Sequence, residues 1–261
     1  MNIYRNQGDK MVNIILRVFL AFVLALLFAA SIQLVGCFVL HGHNVHDITT
    51  CDIPKFVEKD FTQLEKISEI SRLRSAIGHD YSDGFESYRS MKHYYAPYEK
   101  YRINNDVEIY SPVDGTIHSI IKEQHGASEG LFNKQVRIQS SKYPLFIFVI
   151  FHVDLVASEI SEGKRLHAGE LIGHARMYYP DINEYGYSFD IAIWNNSSSK
   201  MRYVSYFDTM TDSLFSYYVA RGARSRNDFI IGKAERDADP LSCENGRFTG
   251  NGKLINWLVL K

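Results

Sequence analysis

Three short segments of this 261-residue chain carry side chains that could do chemistry together. In Gly78-His79-Asp80-Tyr81-Ser82-Asp83, His79 and Asp83 stand four positions apart, two metal-ligating types within reach of one turn. Phe151-His152-Val153-Asp154-Leu155 sets a histidine in a hydrophobic run. Ser188 and Asp190 stand two apart before Ile191-Ala192-Ile193, so a strand there turns both to one face. A catalytic zinc centre takes three protein ligands from His, Cys and carboxylates and keeps one position for water. The metal lowers the pKa of that water to about 7, which supplies hydroxide at neutral pH. Each candidate also has an ordinary structural reading. Asp83 precedes Gly84 and suits a turn, His152 suits a satisfied core position, and Ser188 with Asp190 suit a solvated strand face.

Positioning these residues requires a β scaffold, and residues 75–199 read as one. Val107–Tyr110, Thr116–Ile121 and Gln135–Gln139 alternate, Leu145–His152 is nearly all apolar, and Ser188–Trp194 closes the set. Ser111-Pro112-Val113-Asp114-Gly115 and the glycines near 163, 169 and 173 supply turns. Strands separated by turns without intervening helices predict a mainly β fold, an antiparallel sandwich or open barrel with flanking helices. Upstream, Pro54 opens a predicted amphipathic helix over 53–74, because Phe56, Val57, Phe61, Leu64, Ile67, Ile70 and Leu73 recur at steps of three and four. Downstream, residues 200–261 form a predicted C-terminal helix and tail packed on the domain. Phe207, Met210, Leu214, Phe215, Tyr218 and Val219 make the helix face, Gly222 its cap, and 254–260 a last strand. Tyr88, Met91, His93, Tyr94, Tyr95 and Tyr98 read as an aromatic insertion, either a groove wall for glycan or peptide or a packed loop.

The order and spacing of these segments resemble the LytM/lysostaphin-type zinc metallopeptidases of bacterial cell envelopes, which have a duplicated hybrid motif β fold. The resemblance covers roughly residues 74–195. Ser111-Pro112-Val113-Asp114-Gly115-Thr116 looks like the family's turn before a strand, Glu162–Gly173 like its glycine-spaced stretch, and Phe151-His152-Val153 like its Ala-His-Leu element. It implies His79 and Asp83 as the first two zinc ligands and His152 as the residue that polarises substrate or orients the attacking water. The family's last segment reads His-x-His. Here Ser188 takes the place of the histidine that assists as general base, and Asp190 that of the third zinc ligand. A serine does not accept a proton near neutral pH, and the lost base catalysis is usually worth about 10²–10⁴-fold. Asp80, His93 and Asp154 are the candidates to stand in for it. Two functions follow: a zinc-dependent peptidoglycan endopeptidase with a His79-Asp83-Asp190 centre, or a catalytically inactive module that binds or regulates cell-wall hydrolases.

Bulk properties narrow the partners. A net charge of -1 and the lack of a basic stripe argue against nucleic acid. Lys10 and Arg17 precede an apolar run from Val18 to Ala30, followed by Leu34-Val35-Gly36-Cys37. That pattern predicts a secretory signal over 1–37 with lipid attachment at Cys37; the alternative is a membrane span over 18–40. Either places the domain in the cell envelope, outside the cytoplasm and tethered to membrane. Residues 38–52 read as a tether whose His41, His43 and His46 suit weak metal binding. Cys51 and Cys243 are a candidate pair in an oxidising compartment.

Overall fold

The longest apolar run in the sequence, around Phe146–Phe151, sits at the middle of the sheet. The computed structural model describes residues 53–103, 106–123, 130–179, 183–198 and 200–261. The strands are β1 (Ile67–Ser71), β2 (His93–Pro97), β3 (Glu108–Tyr110), β4 (Gly115–Lys122), β5 (Lys134–Ser140), β6 (Phe146–Leu155), β7 (Arg165–Leu166), β8 (Leu171–Ala175), β9 (Tyr178–Tyr179), β10 (Glu184–Tyr185), β11 (Phe189–Asn195), β12 (Arg202–Val204), β13 (Cys243–Glu244), β14 (Arg247–Phe248) and β15 (Trp257–Val259). The helices are α1 (Glu99–Ile103), α2 (Tyr206–Thr209), α3 (Asp212–Ala220) and α4 (Lys233–Ala238). Pro54–Lys261 form one compact unit.

The fold is mainly β, as the turn-punctuated sequence predicts. An antiparallel sheet of 11 strands runs β15-β1-β2-β11-β6-β5-β4-β7, with β12 on β11, β8 on β6 and β3 on β8. It stays open rather than closing into a barrel, and the short helices flank it. Residues directly opposite in a ladder share a face, so the register sorts the sheet into two sides. Tyr95 pairs Phe189 and Ile191 pairs Ile150 on one side, where Phe61, Tyr206, Phe207, Tyr218 and Phe229 complete an aromatic core. Tyr94 pairs Asp190 and Ala192 pairs Val149 on the other. There Ile147, Val149, Phe151 and Ala192 form a second apolar cluster, with Tyr81, Trp194 and Tyr203 packed against it.

Strand β6 changes partner along its length. Up to Ile150 it pairs β11, and from Val153 it pairs β8. Val136 faces Ile150 while Lys134 faces Val153, so β6 holds one residue more than β5 between them. This is a β-bulge, which bends a strand and re-aims its side chains. His152 lies in it with φ 58°, a left-handed conformation unusual outside glycine.

Three expectations need correction. Residues 53–74 are not a helix: Leu64–Lys66 make one 3-10 turn, and Ile67–Ser71 are β1, paired with β2 and β15. The apolar residues of this stretch serve different neighbours, so no single stripe is needed. Phe56 packs on Tyr143 and Phe146, and Phe61 on Tyr95, Phe189 and Tyr206. The aromatic stretch after Tyr88 is not an insertion. Its His93–Pro97 is strand β2, with every residue buried, and only Tyr88 and Tyr98 of the six named residues are exposed. The single C-terminal helix is two, because Thr211 caps α3 through the Leu214 amide and restarts the chain after α2. Its apolar face is buried except for Val219, and Gly222 follows with φ 101°, as its placement predicted. The segments expected to be a secretory signal and a tether, with Cys37 as the expected lipid site, and Cys51 lie outside the described residues. Among those described, no helix is long and apolar enough to cross a membrane.

Candidate functional site

The loop between β1 and β2 brings His79 onto the second face of the sheet, and three devices hold it there. Glu86 joins Arg74 through two hydrogen bonds of 2.7 Å and Arg89 at 2.8 Å, and Arg89 reaches Asp237 of α4 at 2.8 Å. Burial would raise the Glu86 carboxyl, but the two guanidiniums outweigh it and hold it below the usual carboxylate range. Asp80 accepts from the Arg89 amide at 3.2 Å. Gly78 has φ 76°, and the Tyr94 hydroxyl fills the space where any larger residue would place its Cβ. Only glycine lets the chain approach the phenol this closely.

At the centre is a residue that the sequence reading passed over. Lys92 precedes β2 and is 2% exposed. Its Nζ lies 2.8 Å from Asp190 Oδ2 and 3.4 Å from His79 Nε2. It also sits 3.5 Å from the Phe151 ring centroid and 4.4 Å from that of Tyr81, so aromatic faces complete its surroundings. The alternation Lys92, Tyr94, Ala96 was the available signal, a lone charge on the inner face of an otherwise apolar and aromatic strand. His79 Nδ1 lies 3.0 Å from the Asp80 carbonyl and donates to it, which leaves the Nε2 lone pair toward Lys92. Although His79 is exposed overall, desolvation and then the Lys92 ammonium lower its pKa, because the nitrogen facing Lys92 is at the inner end.

Asp190 is fully buried, not on a solvated face. His152, re-aimed by the bulge, places Nε2 3.5 Å from Asp190 Oδ1 and Nδ1 3.3 Å from Asn133 Oδ1. Glu123, just after β4, is pushed up to about 7 by burial and the charge of Asp190, with Lys92 acting the other way. The site therefore brings together His79, Lys92, Asp190, His152 and Glu123, from four separate stretches of chain.

It does not gather the expected zinc set. Asp83 spends Oδ1 on the amides of Phe85 and Glu86, at 2.8 and 3.1 Å, and Oδ2 on that of Tyr203 at 3.2 Å. It is a turn residue, as its place before Gly84 allowed. Among the described residues, no three His, Cys, Asp or Glu side chains are grouped so as to hold a metal ion. With Lys92 between His79 and Asp190, the side chains as placed do not fit zinc. Ser188 lies half-buried immediately before β11. Nor do the substitute bases converge here. His93 is buried between the Ser71 carbonyl and Ser205 Oγ, and burial lowers it to about 4. Asp154 pairs with Arg176 at 3.2 Å, and Asp80 is tied to its own loop. Compared with family models and with curated proteins, the chain matches none.

Proposed function

We propose that this chain is a catalytically silent, peptidase-like β module of the cell envelope, which binds peptidoglycan or a cell-wall hydrolase without cutting a peptide bond. The observation that carries the reading is Lys92. Its ammonium pairs with Asp190 at 2.8 Å and faces the His79 lone pair, so both side chains are already engaged by a cation. Asp83, committed to three backbone amides, supports it. The rival reading, a zinc endopeptidase using His79, Asp83 and Asp190, requires displacement of that ammonium and release of those amides. Support for the envelope placement is the sequence pattern of Lys10 and Arg17 before the apolar run Val18–Ala30 and Cys37, which suits a secretory signal or a membrane span.

Co-sedimentation with purified peptidoglycan, run beside an assay for released soluble peptides, tests the reading with and without zinc and with chelator. The expected result is binding, or altered activity of an added cell-wall hydrolase, with no peptide release under any condition. Release that is abolished by His79→Ala would establish the rival. A protein that neither sediments nor alters the hydrolase would remove the binding role.

A further inference from the structure

The sheet ends on β15. The Leu260 amide donates to the Ser68 carbonyl and the Arg72 amide to that of Asn256, both at 2.8 Å. With Leu258 opposite Ile70, residues 256, 258 and 260 therefore turn their backbone groups toward β1. Trp257 and Val259 turn their amides and carbonyls the other way, where no hydrogen bond meets them among the described residues. Natural sheets blunt such an edge with charge or proline. Trp257-Leu258-Val259 has neither; Val259 is 68% exposed, and Ile255 just before the strand 73%.

A shelf of side chains lies along the same edge. Val259 stands opposite Glu69 and Glu69 opposite Ala96, so Val259 and Trp257 share the face of Tyr94 and Asp190. The Trp257 ring meets the exposed Tyr187 ring edge-on at 5.8 Å, and the Tyr187 hydroxyl donates to Glu69. Arg102 of α1 lays its guanidinium over Tyr187 at 4.7 Å. Its Nε is buried without a hydrogen-bond partner, and no carboxylate of the described residues pairs with it. An arginine stacked in this way presents a fork for a carboxylate that the fold itself does not supply.

We infer that β15 is a docking edge for an extended segment of a partner protein. The segment continues the sheet as a further strand, lays alternate apolar side chains on Trp257, Tyr187 and Val259, and offers Arg102 an aspartate or glutamate. Outward amides and carbonyls on alternate residues are met by an extended chain, which is how a sheet edge recognises a peptide. A second copy of the edge would meet the same groups, but residues 254–261 contain no acid to answer Arg102. The inference goes beyond the proposed envelope role and uses neither the Lys92 centre nor peptidoglycan, so a failed co-sedimentation leaves it standing.

The test uses the full chain in mild detergent and fluorescence anisotropy. The probe is a labelled, end-blocked nine-residue peptide of alternating serine and valine, with aspartate in place of one valine. One control peptide carries lysine for the aspartate. Two others are N-methylated on alternate amides, one on each set. Only every second amide of a paired strand faces its neighbour, so one methylated peptide should lose binding and the other keep it. The lysine peptide should bind about tenfold more weakly than the aspartate peptide, and Arg102→Glu should reverse that preference. Val259→Pro removes an outward amide without touching the β1 ladder, as an edge allows, and should weaken binding about tenfold. Should that variant fail to fold by thermal melt, the methylated peptides and Arg102→Glu carry the test. A wild type that binds no probe would overturn the inference, as would equal affinity for the two methylated peptides or an unchanged preference in Arg102→Glu. A dimer in sedimentation velocity that Val259→Pro dissociates would also overturn it, by giving the edge to a second copy.

Discussion

Breaking the Lys92–Asp190 pair from either side should be far more costly than removing it whole. At 2.8 Å, with an effective dielectric of about 20, the gross attraction between the two charges is about 6 kcal/mol. Lys92 is 2% and Asp190 0% exposed, so each charge has lost nearly all its water, at several kcal/mol apiece. The net value of the intact pair is therefore small. An orphaned partner, by contrast, keeps its desolvation cost and loses the attraction, a penalty of about 3–5 kcal/mol. Lys92→Met should fall in that range in metal-free buffer, with part of its cost coming from the lost contact with the Phe151 and Tyr81 rings. Asp190→Leu should cost a similar amount. Lys92→Met/Asp190→Leu fills the space with apolar volume and should lie within about 2 kcal/mol of wild type. Urea unfolding with chelator present measures all four proteins, and unchanged m-values confirm that only stability has moved. Single substitutions that cost under about 1 kcal/mol, or whose costs simply add in the double variant, would refute the buried pair as the organising charge of the site.

Other outcomes follow from particular contacts. Gly78→Ala should destabilise by more than about 1 kcal/mol, because φ 76° is strained for alanine and the new methyl meets the Tyr94 hydroxyl; Tyr94→Phe should recover part of the loss in a thermal melt. Asp83→Ala removes an acceptor from three amides and should cost roughly 1–3 kcal/mol by urea titration, equally with zinc or chelator, whereas a metal ligand would show a zinc-dependent loss. Burial pushes Asp60 up to about 6, against the opposing hydrogen bond from Tyr218 at 2.5 Å. Its folded pKa exceeds the unfolded value of 3.8, so its stabilisation is fully present below pH 3.8 and is lost as pH rises through about 6. That contribution is at most about 3 kcal/mol, and Asp60→Asn should flatten the pH dependence of stability in that window.

Local pattern made the β class legible. The apolar run that became β6, the alternation in β4, β5 and β11, and the turn at Ser111–Gly115 are visible because each element's period follows from its own pleat and burial. The same local logic failed at 53–74, where steps of three and four arose from residues that pack against different distant partners. His79, His152 and Asp190 do meet on one face, so part of the site was readable from residue type and order. Which face, and around what, was not.

The sequence by itself determined that these elements are strands, that a histidine and a carboxylate lie along two of them, and that a second histidine sits in a turn-forming segment upstream. Tertiary structure alone decided that Asp83 turns to backbone amides, that a bulge swings His152 toward Asp190, and that Lys92 fills the centre. The physical reason is one of range. Strand period is set over a few residues, whereas the register of β2 on β11, which brings Lys92 to Asp190 across about a hundred residues of chain, is set by burial on both sides of the sheet.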